Sequence, residues 1–173
     1  MTMKLLLSVS LAFLVSGNLS AEPIPASNPG VVSWNLSFGG GSATGPNRST
    51  AFQFGSGFVI GAGRHLSLGV SGSYTRFAGT TPNDASYFTD IPLTLTSYFF
   101  AGGSLPMTIS GGVGAGFSDL PEWRKSNRAL TGHLAVAANL HEQIWTELRM
   151  VKAATSTGNV TFGFLLFRYS IGL

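Results

Sequence analysis

Apolar residues recur at every second position through most of this chain. Val32, Trp34, Leu36 and Phe38 alternate with Ser33, Asn35 and Ser37. Phe52, Phe54, Phe58 and Ile60 alternate with Gln53, Gly55, Gly57 and Val59. The same beat returns at Leu66–Tyr74, Ile91–Phe99, Met107–Phe117, Leu130–Leu140 and Ile144–Met150. A last segment puts Leu165, Phe167, Tyr169, Ile171 and Leu173 on one face. Period two is the signature of β-strands. The pattern predicts eight of them.

The connectors alternate in length. Residues 39–50, 77–86, 118–128 and 153–159 are long and rich in Gly, Ser, Thr, Asn, Pro and charge. Residues 61–64, 101–105 and 141–143 are short turns. Long loops on one side and short turns on the other describe an all-β, eight-stranded, antiparallel up-and-down transmembrane β-barrel. Strands of about ten residues, tilted about 45°, span the ~25 Å apolar band of such barrels.

Periodicity alone does not say which face looks outward. A lipocalin-like carrier or a secreted β-sandwich alternates too. Composition decides for the barrel. Only 10% of residues are charged, against roughly 25% in soluble domains, and mean hydropathy is +0.28. The second face reads mostly Gly, Ser, Thr and Ala, which suits the filled interior of eight strands. The large apolar face therefore meets lipid. In hydrocarbon every backbone group must pair internally, so the sheet must close.

The N-terminus carries Lys4, an apolar run from Leu5 to Val15, and Ala21 at a cleavage point. Residues 1–21 are expected to be a secretory signal peptide. Residues 22–30 then form an N-terminal periplasmic segment and residues 31–173 the barrel. No cysteine is present, so neither disulfides nor a lipid anchor supports the exported chain. The formal charge of +3 is too small and scattered to argue for nucleic acid.

The final strand alternates up to Leu173. Phe167, Tyr169, Ile171 and Leu173 resemble the terminal signal that barrel-assembly machinery reads in outer-membrane proteins. The usual last residue there is Phe, and Leu173 departs from it. LPMTISGGVGAGFSDL, residues 105–120, resembles the Gly-alternating middle strand of the OmpA-like, OmpX-like and opacity-like barrels. The resemblance implies residence in the bacterial outer membrane. It implies contact with membrane lipid and lipopolysaccharide, handling by periplasmic chaperones, and a monomeric, porin-like or OmpA-like barrel without a cofactor.

Two enzyme types use a barrel of this size: lipid A deacylases of the PagL kind and lipid A palmitoyltransferases of the PagP kind. The PagL family sets His-x-Ser shortly after an Arg on the seventh strand, with a Glu on the last. Here Arg149 is followed by Lys152 in the histidine slot and Ala154 in the serine slot. The last strand has no carboxylate and no G-x-S-x-G occurs, so a polarised nucleophile is not in prospect. No His, Cys and carboxylate set has metal-ligand spacing. His65 and His141 fall at short turns. His133 has interior parity and could act with Asp90. Glu147, Arg149 and Arg168 share interior parity on the last two strands, and buried charges pair. A hairpin turning near residue 156 puts Glu147 and Arg168 one diagonal step apart. Such a cluster serves either a plugged interior or a narrow pore. The Gly runs at 39–45 and 111–116 read as loop and small-residue strand. Loop 118–128, with Glu122, Trp123, Arg124, Lys125 and Arg128, is a candidate surface for lipopolysaccharide phosphates or a host. Trp34, Tyr87, Tyr98 and Trp145 are expected in the aromatic girdles.

Overall fold

Residues that alternate between large apolar and small side chains satisfy two surroundings at once when the chain is extended and pleated. In the computed structural model the alternating segments all become strands. It describes residues 29–43, 50–63, 65–78, 86–101, 105–119, 128–155 and 158–173. The signal peptide, most of the segment before β1, and Glu122, Trp123, Arg124 and Lys125 lie outside the described residues. The strands are β1 (Val32–Ala43), β2 (Ala51–Gly63), β3 (Leu66–Phe77), β4 (Ser86–Ala101), β5 (Leu105–Ser118), β6 (Arg128–His141), β7 (Ile144–Thr155) and β8 (Gly158–Gly172).

Each strand pairs antiparallel with the next, and β8 pairs with β1 to close the barrel. The closure extends to the last residue, whose N–H donates to the Val32 carbonyl at 2.9 Å. A circuit along paired residues from Val32 passes Ile60, Leu68, Leu95, Gly111, Leu134, Met150 and Gly163. It returns to β1 at Ser42, ten residues higher. With about 3.3 Å per residue along a strand and about 4.8 Å between strands, that stagger tilts the strands by about 40°.

Two boundaries differ from the sequence reading. Residues 153–159 do not form a long loop: β7 runs to Thr155 and β8 begins at Gly158. Val151 and Ala153 are buried, and Val160 and Phe162 face them across the hairpin, so packing extends both strands. Gly39–Ala43, read as loop, belongs to β1 and pairs with Phe162–Leu166 of β8.

The outer wall is apolar. Phe54, Phe58, Leu68, Val70, Leu93, Leu95, Val113, Leu134, Leu148 and Phe167 all stand exposed on it. Phe167, Tyr169, Ile171 and Leu173 lie on this wall, with Phe167, Tyr169 and Ile171 paired to β1. Trp34 and Tyr87 also face outward. Trp34 Nε1 donates to Ser56 Oγ at 2.8 Å, and Tyr87 stacks on Tyr74 with centroids 6.2 Å apart. Tyr98 and Trp145 do not join them. Trp145 is buried in the lumen at 2% exposure, and the Tyr98 hydroxyl meets Ser67 Oγ at 3.3 Å. Both share parity with interior residues of their strands, and the pleat overrides the general preference of aromatics for the girdles.

Candidate functional site in the barrel lumen

The lumen has two unlike parts. Toward the long-loop rim it is apolar. Phe162, fully buried, packs its ring against Phe88 at 5.0 Å, Phe77 at 5.4 Å and Phe164 at 6.4 Å. Ala43, Ala51, Ala129, Val151, Ala153, Val160 and Leu166 complete this plug. Glycines make it fit. A Cβ on Gly116 would lie 2.5 Å from the Phe88 ring, and one on Gly41 would lie 2.6 Å from the Phe164 ring. The expectation of an interior filled mostly by Gly, Ser, Thr and Ala therefore holds for only part of the barrel. Large side chains from β3, β4 and β8 fill the rest.

The remainder of the lumen is polar. A cavity of about 70 Å³ is lined by Asn35, Ser37, Thr94, Ser110, His133, Glu147, Arg149 and Arg168, among others. At roughly 10–15 Å³ per water it has room for a handful of them. Glu147, 2% exposed, stands at its centre of charge. Its Oε1 accepts from Arg149 Nε at 2.6 Å, and its Oε2 accepts from Arg168 Nη1 at 3.1 Å. Glu147 pairs directly with Leu166, so Arg168 sits two residues along β8, on the diagonal. Charge-assisted bonds of this kind are the strong ones.

Neighbours that sequence reasoning did not single out hold this cluster in place. The Arg168 guanidinium lies 5.0 Å from the Trp145 ring centroid, an arrangement the ring's quadrupole favours. Arg149 Nη1 donates to Gln53 Oε1 at 3.4 Å, and Gln53 Nε2 donates to Thr75 Oγ1 at 3.1 Å. Parity would have found Trp145 and Gln53 as interior residues. It would not have found their contacts, because Gln53 and Arg149 are 96 positions apart.

The second cluster joins His133 and Asp90. His133 Nε2 lies 2.9 Å from Asp90 Oδ2 and 3.2 Å from Thr131 Oγ1. Thr131 donates to Asp90 Oδ1 at 2.8 Å. No donor is aligned on Asp90 Oδ2 as a hydrogen bond. A hydrolytic triad needs the acid on one ring nitrogen and the nucleophile on the other. Here both neighbours meet the same nitrogen, and the threonine proton points at the aspartate. The cluster is built as a polar tie between β4 and β6.

The deacylase slots lie elsewhere. Lys152 and Ala154 are exposed on the outer wall of β7. Their cross-strand partners are Gly132 and Thr161 for Lys152, and Leu130 and Asn159 for Ala154. None is a base or a carboxylate. Among the described residues no group of His, Cys, Asp and Glu could hold a metal. His65 and His141 sit at turn-side ends of strands, away from either cluster.

These features define a class: a small, closed, eight-stranded barrel of the outer-membrane type with a filled lumen. No protein-family model and no curated protein matches the chain. Among solved structures it is similar to the outer membrane enzyme PagL, with a TM-score of 0.62 at 12% identity over 78% of this chain and 98% of that one. It is similar to Ail, the attachment invasion locus protein of Yersinia pestis, with a TM-score of 0.51 at 12% identity over 83% and 100%. Neisserial surface protein A gives 0.51 at 13% identity over 82% and 95%. At these identities the likeness is one of fold, and it is to barrels of the outer membrane.

Proposed function

We propose that this protein is a non-enzymatic barrel of the bacterial outer membrane that contributes to envelope integrity or surface contact. The observation that carries the reading is the commitment of its polar groups. Glu147, Arg149 and Arg168 are inside and tied to one another, and so, separately, are Asp90 and His133, while Lys152 and Ala154 stand on the wall where PagL-like chemistry requires a base and a nucleophile. Outward-facing apolar residues around the whole barrel support residence in lipid. On this reading the partners are membrane lipid and lipopolysaccharide, and the chain works as a monomer. It reaches the membrane through its signal peptide, periplasmic chaperones and barrel-assembly machinery, with Phe167, Tyr169, Ile171 and Leu173 as the assembly signal.

Mass spectrometry of lipid A from cells with and without the gene tests the reading. Identical spectra are expected. A missing or added acyl chain in the strain that carries the gene would overturn it in favour of a lipid A modifying enzyme.

A further inference from the structure

The strands turn few charges outward, and those they turn are all basic. Among the described residues these are Arg76 on β3, Arg128 on β6 and Lys152 on β7, each exposed. A paired row climbs about 1.25 residues per strand in a barrel of this stagger, which sets Arg76 and Lys152 about one residue apart in height. Arg128 stands about three residues above Lys152. Trp34 and Tyr169 mark the opposite edge of the wall, about seven residues or ~18 Å below Lys152. Around that edge Leu66, Ser97, Phe99, Met107 and Ile144 face outward without a charge. The long-loop edge of such a barrel faces the outer leaflet, so the outward positive charge sits on that leaflet alone.

Lys152 meets no protein anion. Its lateral partners are Gly132 and Thr161, and its diagonal neighbours are Leu130, Leu134, Asn159 and Gly163. The ion pairs among the described residues are those of the lumen. Arg76 is flanked by Phe52 and Tyr87, while Asp119 at the rim accepts from the Tyr87 N–H at 2.7 Å. Arg128 already interacts within the chain. A charge on a lipid wall pairs or snorkels to the head groups, and the flexible stem of Lys152 reaches them from its place near the upper edge. Asn159, nearer the rim, exposes an amide that can bond a sugar hydroxyl. Gly132 and Gly163 have open space where a Cβ would stand, so no protein side chain covers the flanks of Lys152. Below it, Met150 and Leu148 are exposed apolar wall. We propose that this β6–β8 face is a seat for lipid A: the Lys152 ammonium binds a phosphate, Asn159 meets the sugar, and acyl chains lie over Met150 and Leu148. The seat rests on the outer-membrane reading above and gives its lipid contact a place and a chemistry.

The test uses the full-length protein refolded in neutral detergent micelles, with lipid A, chemically dephosphorylated lipid A or phosphatidylglycerol titrated into them. Native mass spectrometry counts the lipid retained on the barrel. Lipid A should be retained, and the dephosphorylated form and phosphatidylglycerol should be retained less. Lys152→Gln should weaken retention of lipid A by about fivefold, the usual effect of one basic residue at an anionic lipid surface. Lys152→Arg should restore it, and Asn159→Ala should weaken it without changing retention of phosphatidylglycerol. Retention unchanged by Lys152→Gln would overturn the proposal. So would equal retention of the dephosphorylated form or of phosphatidylglycerol, which would mark a general affinity for lipid. Faster migration of each unheated variant on a gel reports barrel formation separately. An altered lipid A spectrum in cells would overturn the non-enzymatic reading while leaving the seat in place, so the two failures are told apart.

Discussion

The two parts of the lumen fill the same cylinder by opposite means. Near the long-loop rim, Phe77, Phe88 and Phe162 exclude water and hold by contact and burial. Below them, Glu147, Arg149 and Arg168 hold by charge around a cavity with room for water. Close packing fixes shape and tolerates no vacancy. Ion pairs fix which strands face each other, and small neighbours make that arrangement affordable because water can reach the charges. The plug takes its rings from β3, β4 and β8 and Val151 and Ala153 from β7, whereas the charge cluster joins β7 and β8. The last strand gives large side chains to the plug and a charge to the cluster. Its Phe162, Phe164 and Leu166 enter the plug, its Arg168 enters the cluster, and its Leu165 and Phe167 meet lipid. Closure of the β1–β8 seam and sealing of the lumen thus share one strand.

That coupling predicts the largest effect. Deleting Tyr169 to Leu173 removes the lower seam with β1, including the Leu173 bond to Val32. The truncated chain should fail to insert and be lost to periplasmic proteolysis, as surface labelling and immunoblotting would report. Normal surface levels would separate closure from the terminal strand.

Within the closed barrel, the plug should be the costlier half to damage. Phe162→Ala leaves a ring-sized void among Phe77, Phe88 and Phe164 and should lower stability by about 3–5 kcal/mol in urea unfolding. In planar bilayers the wild type should not conduct, and Phe162→Ala should show raised current if the plug is the seal. A conducting wild type would show that the plug is not one.

Glu147→Gln should cost less, about 2–3 kcal/mol, because the cavity admits water to the two arginines it leaves unpaired. Arg168→Met should cost a similar amount, and the double variant less than the sum of the two. Additive losses would mean that the salt bridge contributes nothing to stability.

Gly116→Ala probes how tightly the plug is set. Its new methyl meets the Phe88 ring, which must shift, and a loss of about 1–3 kcal/mol is expected. The same change at Gly132, on the outer wall with open space around it, should fall within about 0.5 kcal/mol. Leu173→Phe should be the mildest of all. Leu173 is 75% exposed and needs only an apolar side chain, so assembly and the urea midpoint should match wild type.

Alternation read together with composition determined that this chain is a membrane barrel. A pleated backbone sends neighbouring side chains to opposite faces, so period two and the charge-poor composition together assigned the lipid wall and the interior set. The same rule placed Glu147, Arg149, Arg168, His133 and Asp90 inside, and it located the last hairpin closely enough to set Glu147 diagonal to Arg168. What it could not give is height and neighbourhood inside the cylinder. Those depend on the ten-residue stagger that appears only when β8 meets β1. That stagger brings Gln53 to Arg149, and Phe77 and Phe88 to Phe162, across the lumen rather than along a strand. Trp145 divides between the two: its parity with Glu147 and Arg149 already puts it inside, against the girdle preference of an aromatic near a strand end, but only the folded barrel shows its ring against Arg168. Contacts across a lumen are set by the closure of the whole sheet, and no local pattern in the chain records them.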